Sequence, residues 1–160
     1  MRHTILPAKP ADAADILALQ RLAYESEARL YGDRTIPPLT QTLEELRAEF
    51  ERLVILKAAA DPAGDGPLLG SVRAGLDGVV CRVGRLIVRP EVQGRGLGTA
   101  LLAAVEERFP TAVRFSLFTG ARSAGNLRLY QRLGYRPVRE EAVSPALILV
   151  FLEKPGPAAR

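Results

Sequence analysis

The sequence predicts an α/β (α+β) domain built on a mixed, mostly antiparallel sheet of about seven strands flanked by about four helices. Three observations lead there. A strand, a glycine-rich turn, a helix and a second strand follow one another over residues 79–118, and that order implies a right-handed crossover joining a parallel pair. Asp77-Gly78 between Leu76 and Val79 is a hairpin signal, so the strands around it run antiparallel. Leu97, Leu101, Val105 and Phe109 recur at about one-turn spacing, backed by Leu102, which makes the crossover a helix.

The elements follow in order. Residues 3–6 read as a short strand. Residues 11–24 read as a helix with Asp12 as N-cap and Ile16, Leu19 and Ala23 on one face. The stretch 25–39 is polar, carries Gly32 and Pro37-Pro38, and reads as a connecting loop. Thr42-Leu43-Glu44-Glu45 is a capping box, and Leu43, Leu46 and Phe50 line one side of the helix it opens. Strands are expected over 53–59, 68–76 and 79–88, with a loop over 61–67. In the third strand Val79, Cys81 and Val83 share one phase, whereas Leu86 and Val88 share the other. That slip at Gly84-Arg85 predicts a bulge, and Pro90 ends the pairing. The crossover helix covers 96–109, where Pro110 stops it, and the next strand covers 113–118. Ser123 is placed to cap a helix running to Leu133, with Gly134 just past its end. Strands over 135–139 and 146–152 complete the set. One domain is expected over 1–153. The tail 154–160 is expected to be flexible, because two prolines and a glycine oppose pairing.

Composition narrows the function. At 160 residues, 48% apolar and 25% charged, the chain fits one ordinary globular domain with a core of its own. A single cysteine, Cys81, rules out an internal disulfide framework, and the N-terminus lacks a secretory core, so a cytoplasmic location is expected. No apolar run is long enough for a membrane span. The net charge of +4 raises nucleic acid as a partner, but acids and bases are interspersed, so neither nucleic acid nor membrane is expected. No Cys/His spacing suggests a metal.

The chemistry gathers at Gln93-Gly94-Arg95-Gly96-Leu97-Gly98-Thr99. The first amides of a helix lack internal acceptors and sit in the positive end of its dipole, which suits an anion. Glycines let a phosphate reach the backbone, and Arg95 adds charge. A P-loop would need Gly-Lys-Ser/Thr where Leu97-Gly98-Thr99 stands. The dinucleotide fingerprint would need a glycine at Thr99 or Leu101, and an acid about 20 residues on is missing near Leu117. A glycine-rich turn that only starts a helix would look the same on this segment alone.

A second constellation adds to it. Asn126-Leu127-Arg128-Leu129-Tyr130-Gln131-Arg132-Leu133-Gly134-Tyr135 follows one strand later. Together, Gln93–Gly98 and Asn126–Tyr135 resemble the two signatures of the GNAT superfamily of N-acetyltransferases, Q/R-x-x-G-x-G/A and N-x-x-x-Y-x-x-x-G-F/Y. The resemblance implies a sheet splayed between the 79–88 and 113–118 strands. It implies acetyl-CoA as co-substrate, with pantetheine against the main chain of Leu86, Ile87 and Val88 and pyrophosphate on the amides from Gly94 to Thr99. It implies Tyr130 as general acid to the departing thiolate and the Val88 amide as oxyanion donor. Asn126, one turn before Tyr130, either bonds the pantetheine or caps the helix.

Many family members place a glutamate on the strand equivalent to 79–88, but here the polar residues are Arg82 and Arg85. The base must lie elsewhere, be a water, or be dispensable. Glu25, Glu27 and Asp33 are candidates, because the resemblance places their loop beside the acceptor. Tyr24, Glu25, Tyr31 and Thr119 are candidate acceptor contacts, and the acids of Glu25-Ser26-Glu27 lean toward a cationic acceptor. Arg122 and Arg128 are weaker candidates for holding the cofactor phosphates. Cys81, among valines, reads as a buried thiol. The expected activity is acetyl transfer to a primary amine of a small molecule or peptide, by a monomer or homodimer. The missing strand glutamate keeps open a CoA-binding regulatory module without turnover.

Overall fold

The computed structural model describes residues 2–160. Seven strands are present among them: β1 (Thr4–Pro7), β2 (Val54–Ala59), β3 (Leu68–Asp77), β4 (Val80–Val88), β5 (Arg114–Gly120), β6 (Arg136–Ser144) and β7 (Leu147–Pro155). They form one sheet in the order β1-β2-β3-β4-β5-β7-β6, antiparallel throughout except for the parallel pair β4–β5. Helices α1 (Ala13–Ala23), α2 (Glu25–Tyr31), α3 (Pro37–Thr40), α4 (Leu43–Glu49), α5 (Leu97–Glu106) and α6 (Ala124–Arg132) flank it.

The period-2 alternation of the strands sorts the helices onto two faces. Leu56 and Ala58 of β2 join the core that holds Leu97, Leu101, Leu102 and Val105 of α5. Ile55, just before Leu56 and on the opposite face, joins Ile16 and Leu17 of α1 and Leu46 of α4. Each fully buried leucine or valine contributes about 1.5–3 kcal/mol. Four of them outweigh the roughly 0.5–1 kcal/mol that Gly98 costs inside α5.

A charged network ties the α1 face together. Arg73 of β3 is 2% exposed and donates to the Gln20 side chain, to Gln41 Oε1 at 3.3 Å and to Glu49 Oε1 at 3.3 Å. Gln20 in turn donates to Pro38 O at 2.9 Å, which anchors α3. Burial pulls the Arg73 pKa down to about 10, against the opposing pull of Glu49.

Two features of the sheet create the site. Pairing between β4 and β5 is confined to Val80–Arg114, Cys81–Phe115 and Arg82–Ser116, after which the strands part. On its other edge β4 carries the expected bulge. Ser71 pairs with Ile87 and Arg73 with Gly84, so Arg85 and Leu86 stand opposite Val72 alone. Arg85 takes φ 50°, the one positive φ outside glycine among the described residues.

Several boundaries differ from the sequence reading. The hairpin loop is Gly78-Val79, with Asp77 paired to Val80; Gly78 at φ 64° leads the loop, as a type II′ turn requires. The stretch 25–39 is not all loop, since it holds α2 and α3. Acids begin α2, Arg29 lies in its last turn and Gly32 ends it at φ 62°, while Ala28 and Tyr31 are buried one turn apart. Pro37 then starts α3, where a missing N–H costs nothing. Ser123 occupies the N-cap position of α6 without a capping bond. Pairing also runs past the expected tail boundary: Lys154 meets Phe115 and Pro155 meets Arg114. Gly156 and Ala158 donate to Val113 O and Ala112 O at 2.8 and 3.0 Å. Proline is tolerated there because it falls at the end of the strand.

Candidate active site

A cavity of about 980 Å³ fills the opening between β4 and β5. The turn before α5 forms one end, α6 one wall, and α2 with Ile36, Pro37 and Pro38 the far end.

Gln93, Gly94, Gly96, Leu97, Gly98 and Thr99 line the first end. Along α5, Ala100 is the first residue whose amide finds a helical acceptor, Gly96 O at 3.0 Å. Among the described residues, the amides from Gly94 to Thr99 have no acceptor, and no side chain caps the helix. Gly94 and Gly96 hold φ 78° and 84°, with nothing within 4 Å of where a Cβ would be. The result is a cradle of free donors at a helix N-terminus, open on the glycine side, and it fits a diphosphate. Leu97 contributes only its amide, because its side chain is 1% exposed in the core. Arg95 is exposed and does not line the cavity, so its charge lies outside the cradle.

Leu86, Ile87 and Val88 form the β4 wall. Arg89 uses its N–H on Leu69 O at 2.7 Å. Antiparallel ladders alternate, so the N–H and C=O of Val88 face the opening, and Leu86 shares that phase. Gln93 Nε2 donates to Val88 O at 3.3 Å, while no protein acceptor takes the Val88 N–H among the described residues.

On α6, Tyr130 and Asn126 face the same space one turn apart. Asn126 Nδ2 donates to Thr119 Oγ1 at 3.2 Å, which commits one of its two N–H donors to β5. Tyr130 is 6% exposed and packs edge-on against Tyr135 at 6.1 Å, and no protein hydrogen bond holds its hydroxyl among the described residues. Burial, with smaller contributions from Tyr24 and Glu27, pushes its pKa above the usual phenol value, so it stays a proton donor.

The far end joins residues distant in sequence. Tyr31 Oη lies 2.9 Å from Ser123 Oγ and accepts the Arg122 amide at 2.9 Å. Ser123 Oγ donates to Glu27 Oε2 at 2.7 Å. Gly120 makes room for this: a Cβ there would overlap the Tyr31 hydroxyl. Tyr24 lines the cavity beside the Arg85 guanidinium, and burial raises its pKa against the pull of that cation.

Of the acidic candidates, only Glu27 reaches the cavity. Glu25 turns away and binds Arg34 through two hydrogen bonds of 2.7 and 2.8 Å, which hold its carboxyl below the usual range. Asp33 accepts from the amide and hydroxyl of Thr35, which lowers its pKa likewise. Arg122 reaches the cavity and Arg128 does not. Cys81 is fully buried and its thiol is pushed up to about 12 by burial. Ser123 was not legible as a site residue, because a serine before a helix reads as a cap.

A sheet splayed around a main-chain anion cradle defines a coenzyme A-type acyltransferase architecture, and the comparisons agree. The profile of the Acetyltransferase (GNAT) family matches residues 16–135, and the chain belongs to that family. The UPF0157 protein YqkA of Bacillus subtilis (strain 168) is 26% identical over 137 residues, covering 86% of this chain; the chain spans only 38% of the length of that relative. The PaiA N-acetyltransferase of Thermoplasma acidophilum, solved in complex with coenzyme A, superposes with a TM-score of 0.78 at 16% identity, covering 97% of this chain and 99% of that one. The yncA protein of Salmonella typhimurium, solved with its cofactor acetyl-CoA, gives 0.74 at 20% identity, over 96% and 93% of the two chains. At these identities the likeness is one of fold.

Proposed function

We propose that this chain is an acetyl-CoA-dependent N-acetyltransferase, acting as one domain that includes the paired residues Lys154 and Pro155, which acetylates a primary amine of a small molecule or peptide by direct attack. The observation that carries the reading is the set of free amides from Gly94 to Thr99 at one end of a cavity whose middle holds the unbonded Tyr130 hydroxyl. The diphosphate of coenzyme A takes those amides. Its pantetheine arm lies along Leu86, Ile87 and Val88, which brings the thioester between Val88 and Tyr130.

The acceptor must be a free amine when it attacks, and Glu27 is the carboxylate in reach of the far end. The amine nitrogen forms a bond to the thioester carbon, and the carbonyl π pair moves onto oxygen. The Val88 N–H faces that oxygen and needs no reorganisation to bind it. Glu27 takes the proton that the attacking nitrogen loses. As the oxyanion collapses the C–S bond breaks, and Tyr130 gives its proton to sulfur. A phenol is ordinarily a slightly weaker acid than a thiol, so this transfer runs with the charge that builds on sulfur. The missing acid on β4 was the reason to consider a binding module without turnover; Glu27, a carboxylate lining the cavity from α2, supports turnover instead.

The test is thiol release from acetyl-CoA over a panel of primary amines. Tyr130→Phe is expected to lower kcat by about 10²–10⁴-fold with coenzyme A affinity retained. Unchanged turnover would take the acid role from Tyr130, and binding without thiol release on any amine would favour the regulatory module.

A further inference from the structure

We propose that the acceptor carries a carboxylate as well as its amine, and that Arg85 binds that carboxylate; the proposal rests on the transferase reading above. Four charged side chains line the cavity: Glu27, Arg85, Arg122 and Arg132. With Glu25 outside, the lining is cationic by three to one, the reverse of what the acids around residue 26 suggested from sequence. A cationic acceptor such as a polyamine would meet an excess of like charge. An acceptor with one amine and one carboxylate meets a partner for each.

Arg85 is the cation placed to receive the carboxylate. It directly precedes the Leu86–Val88 wall, on the side away from the glycine turn, and lines the cavity. Bulges re-aim side chains, and this one holds Arg85 in the left-handed region at φ 50°. An arginine pays strain to sit there, which a glycine would not. Among the described residues no carboxylate lies within ion-pairing distance of Arg85, although Arg34, Lys57, Arg73, Arg82, Arg114, Arg139 and Lys154 all have one. Its Nε is buried without a hydrogen-bond partner. Behind it the buried Arg73 adds a second positive charge, and beside it stands the Tyr24 hydroxyl as a further donor. A guanidinium with a flanking hydroxyl matches the planar two-oxygen geometry of a carboxylate. Glu27, fixed through Ser123, then meets the amine end.

The experiment compares α- and ω-amino acids with their own carboxamides as acceptors, for wild type and Arg85→Asn. Asparagine tolerates φ near +50° better than the other uncharged residues that carry a side chain, so the variant should fold, and thermal melting checks that it does. Wild type is expected to prefer the carboxylate members. Arg85→Asn should lower kcat/KM for them by about 10–100-fold, mostly through KM, and leave the carboxamides within about threefold. Arg85→Lys should recover part of the loss. Equal use of both members by wild type, or an equal loss of both in Arg85→Asn, overturns the proposal. So does coenzyme A binding, seen by calorimetry, without acetylation of any carboxylate-bearing acceptor. If coenzyme A fails to bind wild type, the transferase reading itself falls, and calorimetry separates that failure from the others.

Discussion

Glu27 is held through one oxygen: Oε2 accepts from Ser123, while Oε1 has no hydrogen-bond partner among the described residues. A base fixed on one side and free on the other can take a proton without losing its position. Replacing it with glutamine keeps the bond to Ser123 and removes the basicity. Glu27→Gln is expected to cut kcat by about 100-fold near neutral pH, with little change in melting temperature. The deficit should narrow as pH approaches the amine's own pKa of about 8–10, because solvent then supplies free amine. The raised pKa of Tyr130 works in the other direction: the acid stays protonated above its ordinary value, so wild-type kcat should not fall between about pH 8 and 10. A deficit that stays constant across the pH profile would remove Glu27 from the base role. At this scale the sequence reading was uneven. Tyr130 and Asn126 were visible through the family signature they match, and their spacing within one helix puts them on one face. Glu25 and Glu27 were indistinguishable, since only the helical turn between them sends one to Arg34 and the other to the cavity.

Among elements, the clearest legibility lay where local rules act alone. The change of phase in β4 marked the bulge, and Asp77-Gly78 marked the hairpin to within one residue. The segment holding α2 and α3 was missed because Gly32 and Pro37-Pro38 are loop punctuation, and the apolar pair Ala28 and Tyr31 is too short a pattern to argue helix. What holds that segment is long-range: Gln20 donates to Pro38 O of α3, and Tyr31 and Glu27 of α2 bond to Ser123. Gln20 belongs in turn to the Gln20–Arg73–Glu49 network, which joins α1, β3 and α4. Arg73 has a side chain only 3% exposed, so its removal leaves the Glu49 carboxylate, itself 13% exposed, without its cation. Arg73→Ala is therefore expected to destabilise the fold by about 3–5 kcal/mol, read as a lower denaturant midpoint at unchanged slope. A change under about 1 kcal/mol would mean that α1 and α4 are held by apolar contacts alone.

Across the whole molecule, function follows from a failure of pairing. Three residue pairs join β4 to β5, and the rest of both strands is spent on a cavity. The glycine turn opens at one end and the α2 segment closes the other, so the proposed donor and acceptor halves meet beside Tyr130. Sequence motifs announced the donor half, because backbone donors and glycines are local. The acceptor half was legible in part: the family resemblance pointed to Tyr24, Glu27, Tyr31 and Thr119, which line the cavity, whereas Arg85 and Ser123 join them only through the tertiary fold. The account stands or falls on the amides from Gly94 to Thr99, and calorimetric titration of coenzyme A into the purified chain tests them most directly. It predicts one saturable site whose affinity weakens as salt screens the phosphates. Absence of binding heat at coenzyme A concentrations up to about 1 mM, where even a weak site of roughly −4 kcal/mol would begin to fill, would contradict it.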